Sequence, residues 1–262
     1  MKATMNKFLA INIIAMMTLS AQVALAEDSQ NFTLSTGLDY TTGKYGTNAT
    51  TDITSVPFVA KYDIDRFSLK VTVPYLTITG TGDVLPGIGR IKKGGLLSNR
   101  STESGWGDIV TAATYTVFEG DQAMPAIDIT GKVKFGTADQ AKRLGTGEND
   151  YSAQVDFYKR FGEFTALASL GYTAYGDTQT TPLDNVFYGS VGGIYKIAPE
   201  ASLGAVYDYR PSLTSAGAPI SELMGYVNYK FTQNWKAQAY ISKGFSDGSA
   251  DYDVGALVSY MY

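Results

Sequence analysis

The side chains that most often carry out chemistry are largely missing from this sequence. None of its 262 residues is histidine or cysteine. That excludes Ser-His-Asp and Cys-His nucleophilic sites, His-ligated zinc and His general bases. It equally excludes disulfides, thiolate metal sites and thiol nucleophiles. Gly131-Lys132 lacks the upstream glycine spacing and the following Ser or Thr of a phosphate-binding loop. Gly145-Thr146-Gly147 sits between two strand-like segments, with no helix to present amides to a phosphate. Asp and Glu are scattered over different segments without calcium-loop spacing. The reading is therefore of no catalytic, cofactor-binding or metal-ligating residues, and no cofactor. A hydrolase relying on carboxylates alone is the most distant alternative. With 21 basic against 25 acidic residues, the chain has no global basic footprint for nucleic acid.

Only 18% of residues are charged, below the roughly 25% usual for soluble domains. Something other than charge covers the surface. Residues 1–26 have a basic start (Lys2, Lys7), an apolar stretch from Phe8 to Leu19 and a small-residue end, Ala24-Leu25-Ala26. This is the pattern of a cleaved secretory signal peptide, leaving 27–262 as one structural unit. After it, apolar and polar residues alternate. Phe67-Leu69-Val71-Val73-Tyr75 interleaves with Ser68, Lys70 and Thr72. Ile127-Ile129-Gly131-Val133-Phe135 interleaves with Asp128, Thr130, Lys132 and Lys134. A period of two marks strands, and no long stretch keeps the recurrence of a helix. Twelve such segments run from 31–41 to 252–262, the fourth at 107–118.

The spacers alternate between short and long, which is what an outer-membrane barrel requires: short periplasmic turns, long extracellular loops and an even strand number. A soluble sandwich has no reason to sort its loops by length. Aromatic residues gather at both segment ends on the apolar parity. Phe32, Tyr62, Phe164 and Trp235 mark one end; Tyr40, Tyr75, Phe187 and Tyr252 mark the other. Amphipathic rings partition to headgroup depth, so these bands read as two girdles around a lipid-facing surface. The fold expected is an all-β, twelve-stranded antiparallel transmembrane barrel in the bacterial outer membrane.

The other parity then lines the lumen. The residues placed there are Lys61, Lys70, Asp108, Asp128, Lys132, Lys134, Asp156, Arg160, Asp208, Arg210, Glu222 and Lys230, with Asp39, Lys236 and Asp253 completing the set. Cations and anions nearly balance, so strong ion selectivity is not expected. Lys132 and Lys134, two residues apart, predict a local positive step that Asp108, Asp128 and Asp156 on the same or neighbouring strands can partly neutralise. An interior ladder of salt bridges fits the same balance. Twelve strands about 4.7 Å apart, tilted about 40°, leave a lumen of roughly 12 Å before any plug. The long spacer Thr79–Trp106 could fold inward and narrow it. Its Arg90, Lys92 and Lys93 suit solvent or lipopolysaccharide phosphates.

Several short motifs carry a family resemblance: Gly105-Trp106-Gly107-Asp108, Lys134-Phe135-Gly136-Thr137, Leu144-Gly145-Thr146-Gly147 with Asp150, the segment Gln154–Lys159, and Gly171-Tyr172 with Gly176. Across residues 105–210 these resemble the outer-membrane transporter family named for the phenol meta-cleavage pathway, a grouping that also holds the barrel of the functional-amyloid secretion channel. The resemblance implies an outer-membrane barrel with a role in uptake or efflux, and small aromatic or hydrophobic compounds as solutes. The leading functional reading is thus passive diffusion of small solutes through a monomeric barrel. A closed structural or surface-interaction barrel is the alternative. Implied partners are outer-membrane lipids, lipopolysaccharide, and the barrel-assembly machinery, the last through the terminal strand ending in Tyr262.

Overall fold

The computed structural model describes residues 31–90, 99–176, 182–215 and 217–262. The proposed signal segment 1–26 and the basic pair Lys92 and Lys93 lie outside these. The strands are β1 (Asn31–Gly43), β2 (Thr51–Ile64), β3 (Phe67–Gly80), β4 in two segments (Ser101–Trp106 and Ile109–Phe118), β5 (Ala126–Phe135) and β6 (Asp150–Phe161). They continue with β7 (Phe164–Ala174), β8 (Val186–Ala198), β9 (Ala201–Arg210), β10 (Ile220–Lys230), β11 (Trp235–Gly244) and β12 (Tyr252–Met261). Every strand pairs antiparallel with its neighbours, and β1 pairs with β12 from Thr33↔Met261 to Thr42↔Tyr252, which closes the sheet. Closure leaves no edge strand unpaired. The chain folds as the twelve-stranded barrel that its periodicity predicts.

The expected fourth strand at 107–118 is corrected in one respect. It begins six residues earlier, at Ser101, and breaks at Gly107–Asp108. The cause lies in β3. Pro74 has no N–H to offer β4, and its carbonyl accepts Gly107 N–H at 2.8 Å beside the break. Pro57 on β2 stands opposite Pro74 and interrupts the β1–β2 ladder in the same way, between Thr36↔Phe58 and Asp39↔Ser55. The Gly-Asp break leaves Trp106 facing outward while Asp108 reaches a lumen partner, Lys134.

Burial follows the period of two. Leu38, Phe58, Ile129, Leu170, Val191, Ile241 and Val254 point outward and are exposed on the barrel's outer surface, where lipid replaces water. The aromatic bands hold. At the end where the short turns lie, Trp235 meets Tyr260 at 4.9 Å, Tyr260 meets Tyr262 at 4.7 Å, and Tyr262 meets Phe32 at 5.8 Å. This row lies across the β1–β12 seam, and Tyr262 N–H donates to the Phe32 carbonyl at 2.9 Å. Inside, three tyrosines lie on glycines of the facing strand: Tyr188 on Gly171, Tyr226 on Gly204 and Tyr240 on Gly255. A side chain at any of these glycines would collide with the ring.

Candidate functional site

The open lumen of roughly 12 Å expected from strand number is not what the interior shows. In the half nearer the short turns, Val59, Tyr158, Leu167, Val206, Met224, Tyr226, Tyr240 and Leu257 form one buried apolar cluster within the lumen. Strand number fixes the backbone circle; long inward side chains then consume the space. Above this layer the interior is polar or charged, and loops close over it.

The inward fold of the spacer after β3 is observed. A two-strand ribbon, Val84–Leu85 with Gly89–Arg90, crosses the mouth. It reaches β9, which stands opposite β3 in the twelve-strand ring. There Arg210 donates to the carbonyls of Gly87 and Ile88, both at 2.9 Å, and to Tyr175 Oη at 3.0 Å. Arg143 holds the Gly82 carbonyl at 2.6 Å, and Arg90 holds that of Gly46. Leu85 and Ile88 pack with Tyr175, Leu183, Val186 and Leu213. The ribbon is thus anchored on several sides by hydrogen bonds from cationic side chains, which are the stronger kind.

Beneath it lies a small cavity that opens towards the mouth. Its apolar walls are Ile53, Leu76, Val110 and Leu144, and Pro86 to Ile88 form the roof. Lys132, Lys134, Asp108 and Asp150 supply the charge. Lys134 Nζ lies 3.1 Å from Asp108 and 2.9 Å from Asp150, and donates to Thr146 Oγ1 at 2.9 Å. All three ammonium hydrogens are engaged, so the positive step expected from Lys132 and Lys134 is cancelled at Lys134 by two carboxylates. The interior-ladder reading describes this pair of residues better.

The glycine-rich motifs find their purpose here. Asp108, Lys134, Thr146 and Asp150 come from three of those motifs and form one knot. Around it, Ala138 N–H donates to Asp108 at 2.9 Å, and Gly176 N–H donates to Asp150 at 3.0 Å. A side chain at Gly145 would meet the Asp108 carboxylate, and one at Gly136 would meet the Gly147 backbone. Glycine is needed for close approach. The knot pulls residues 136–149 down, so that Leu144 and Ala138 pack on Ile53, Leu76 and Ile78. Sequence reasoning noticed the motifs but had no means to see them converge.

The remaining lumen residues lie on the inward parity but are sorted by height. Asp39, Asp208, Glu222 and Asp253 stand in the loop-side half, with Arg210; Asp108, Asp150 and Lys134 lie at the same level or higher. Lys61, Lys70, Arg160, Lys196, Lys230 and Lys236 stand near the short turns, with Asp63 and Asp128. Lys132 and Asp156 mark the middle. Within this set Lys61 and Asp63 pair at 2.7 Å. The near balance of charge conceals an axial bias: most of the carboxylates lie in the loop-side half, among Arg210, Lys134 and the ribbon-holding Arg90 and Arg143, and most of the lysines lie near the short turns. Asp63, Asp150 and Lys196 were not among the sequence's candidates, nor was Tyr45, which the first loop inserts into the mouth.

A family model described as putative MetA-pathway of phenol degradation matches residues 34–262. No curated protein matches the chain. Among solved structures, the beta domain of the Bordetella autotransporter BrkA is similar at 12% identity, covering 88% of this chain and 99% of that one, with a TM-score of 0.53. The KdgM porin in complex with disordered oligogalacturonate covers 88% of this chain and 98% of that one at 10% identity and a TM-score of 0.49. A deletion mutant of the monoaromatic hydrocarbon channel TodX covers 90% and 91% at 10% identity and a TM-score of 0.46.

Proposed function

The chain belongs to the family described as putative MetA-pathway of phenol degradation, and from that premise we propose that it is an outer-membrane channel through which small solutes diffuse passively. The observation that carries the reading is the partly open cavity between the β2–β6 wall and the inward ribbon. A barrel built only as a scaffold has no need to keep an apolar-walled cavity behind a tethered loop. Apolar walls with a few fixed polar groups suit a small solute with a substantial apolar body, as small-molecule sites generally do. The family description favours small aromatic or hydrophobic compounds. The lumen residues Lys61, Lys70, Asp128, Lys132, Asp156, Arg160, Asp208, Arg210, Glu222 and Lys230 line the path in this proposal.

The rest of the biology follows the same proposal. Residues 1–26 direct export and are removed. The barrel stands as a monomer in the outer membrane, its girdles among lipids and its loops towards lipopolysaccharide, after assembly guided by the strand that ends in Tyr262. The closed, structural reading keeps one observation in its favour: the apolar layer from Val59 to Leu257 fills the lumen below the cavity. In a channel, such a layer is a hydrophobic constriction that gates by excluding water. Planar-bilayer recordings of the purified chain separate the two. Discrete conductance steps reduced by added small aromatic solutes support the channel; a silent membrane containing folded protein supports the closed barrel.

A further inference from the structure

The first loop puts Tyr45 into the barrel mouth at a cost. Its backbone is left-handed, with φ at 50°, a region that non-glycine residues seldom occupy. Its ring packs with Val84 and Ala250 and is only 5% exposed. Yet the phenol oxygen, buried as it is, makes no hydrogen bond. A buried polar group without a partner is uncommon and calls for an explanation. The charges that act on this phenol are those of Glu222, Asp253, Asp39 and Asp251, so it lies over an acidic cluster. Burial, followed by those carboxylates, pushes its ionisation well above the usual tyrosine range, so the group stays a neutral hydroxyl.

The cluster beneath is equally unusual. The carboxyl groups of Asp39 and Asp253 meet each other, and both lie within 3.5 Å of Thr41 Oγ1. Tyr240 Oη donates to Asp39 Oδ2 at 2.6 Å. Glu222 Oε1 accepts Ala250 N–H at 3.3 Å. Two carboxyl groups in contact are stable only with a proton or another cation between or beside them. Arg210 is the cation that acts on Glu222, and both its terminal nitrogens are engaged with Gly87, Ile88 and Tyr175.

We infer that Tyr45, Glu222, Asp253 and Asp39 form a recognition site in the loop-side half of the lumen for the ammonium group of a small organic amine. Carboxylates only accept hydrogen bonds, and the phenol oxygen has its acceptor capacity unused. An R–NH₃⁺ group offers three donors and one positive charge, which matches that set. Val84 and Ala250 beside the phenol suit a short alkyl body. The site lies on the path of the proposed channel and deepens that reading, but binding to it needs no current.

Calorimetric titration of the full chain in detergent micelles with propylammonium chloride tests the inference. Saturable one-to-one binding is expected, weakened at least tenfold in Glu222→Gln and separately in Tyr45→Phe. Asp63→Asn, at the opposite end of the lumen, should bind as the parent does. Tyr45→Phe keeps the ring and removes an oxygen that bonds to nothing, so heat-modifiable migration should show it folded. Three results each overturn the inference: no saturable binding to folded parent, equal binding by folded Tyr45→Phe and Glu222→Gln, or calcium chloride binding more tightly with loss in the same variants. A silent bilayer together with intact amine binding would remove the channel and leave this site standing.

Discussion

At the scale of single residues, direction matters more than identity. Ala168 points outward in mid-strand on β7, and Thr165 points inward on the same strand. An arginine facing the hydrocarbon costs about 2–4 kcal/mol near mid-depth, while one facing the lumen meets polar groups. Ala168→Arg should therefore reduce the yield of heat-modifiable barrel and lower its urea midpoint, with Thr165→Arg the milder of the two. Equal damage would mean that the inward and outward faces are exchanged. Lys134 is the second case. Lys134→Met leaves Asp108 and Asp150 facing each other without their cation, and breaking a mostly buried pair costs about 3 kcal/mol. The expected outcome is a lowered urea midpoint and earlier proteolysis within 136–149. The parity of both residues was legible in the sequence. Asp108 on the neighbouring strand was legible as a neutralising partner of Lys134; Asp150 follows from the β5–β6 register, and Thr146 depends on how a fourteen-residue loop folds back.

At the scale of elements, strands were the most legible part, since a period of two is written locally. The boundary misplaced by most, at β4, lies beside a break set against Pro74 in the neighbouring strand, while other ends differ by one or two residues. Loops were less legible still. The inward turn of the ribbon after β3 is fixed by Arg210, more than a hundred residues away, and no local pattern announces that contact. Arg210→Ala frees the Gly87 and Ile88 carbonyls and should loosen the ribbon. Larger and noisier conductance steps are expected in planar bilayers; steps unchanged from the parent would place the narrowest point at the apolar layer instead. The tyrosine–glycine pairs make a sharper test of the wall. Gly204→Val drives its side chain into the Tyr226 ring, and overpacking of this kind costs about 1–3 kcal/mol, readable as a lower urea midpoint.

At the scale of the whole molecule, composition suggested a lumen of balanced charge, and the structure sorts that charge along the axis. The sum was legible; the sorting appears only once each residue has a height. An excess of carboxylates towards the loops and of lysines towards the short turns makes two oppositely selective segments in series. Cations driven inward and anions driven outward both accumulate between them, so conductance should be higher when the loop side is positive. The asymmetry should be clear in current–voltage curves at 0.1 M salt and fade at 1 M, where screening falls to about 3 Å. A curve that is symmetric at both concentrations would mean that these charges are neutralised in place.

The seam between β1 and β12 bears on the time course of folding. Ser35 and Ser259, whose hydroxyls meet at 2.8 Å across it, are separated by 224 positions in sequence. Every other neighbouring pair of strands is consecutive and can zip together locally. Closing a loop of that length costs about 5 kcal/mol of chain entropy before any rung of the seam repays it. Joining the two ends is then expected to come late, since long-range pairings are slow to form. Until it happens, two strand edges lie unsatisfied, in competition with one another and with any other chain nearby. The aromatic row from Trp235 to Phe32 secures that joint, so thinning it should lengthen the unclosed phase more than it weakens the finished barrel.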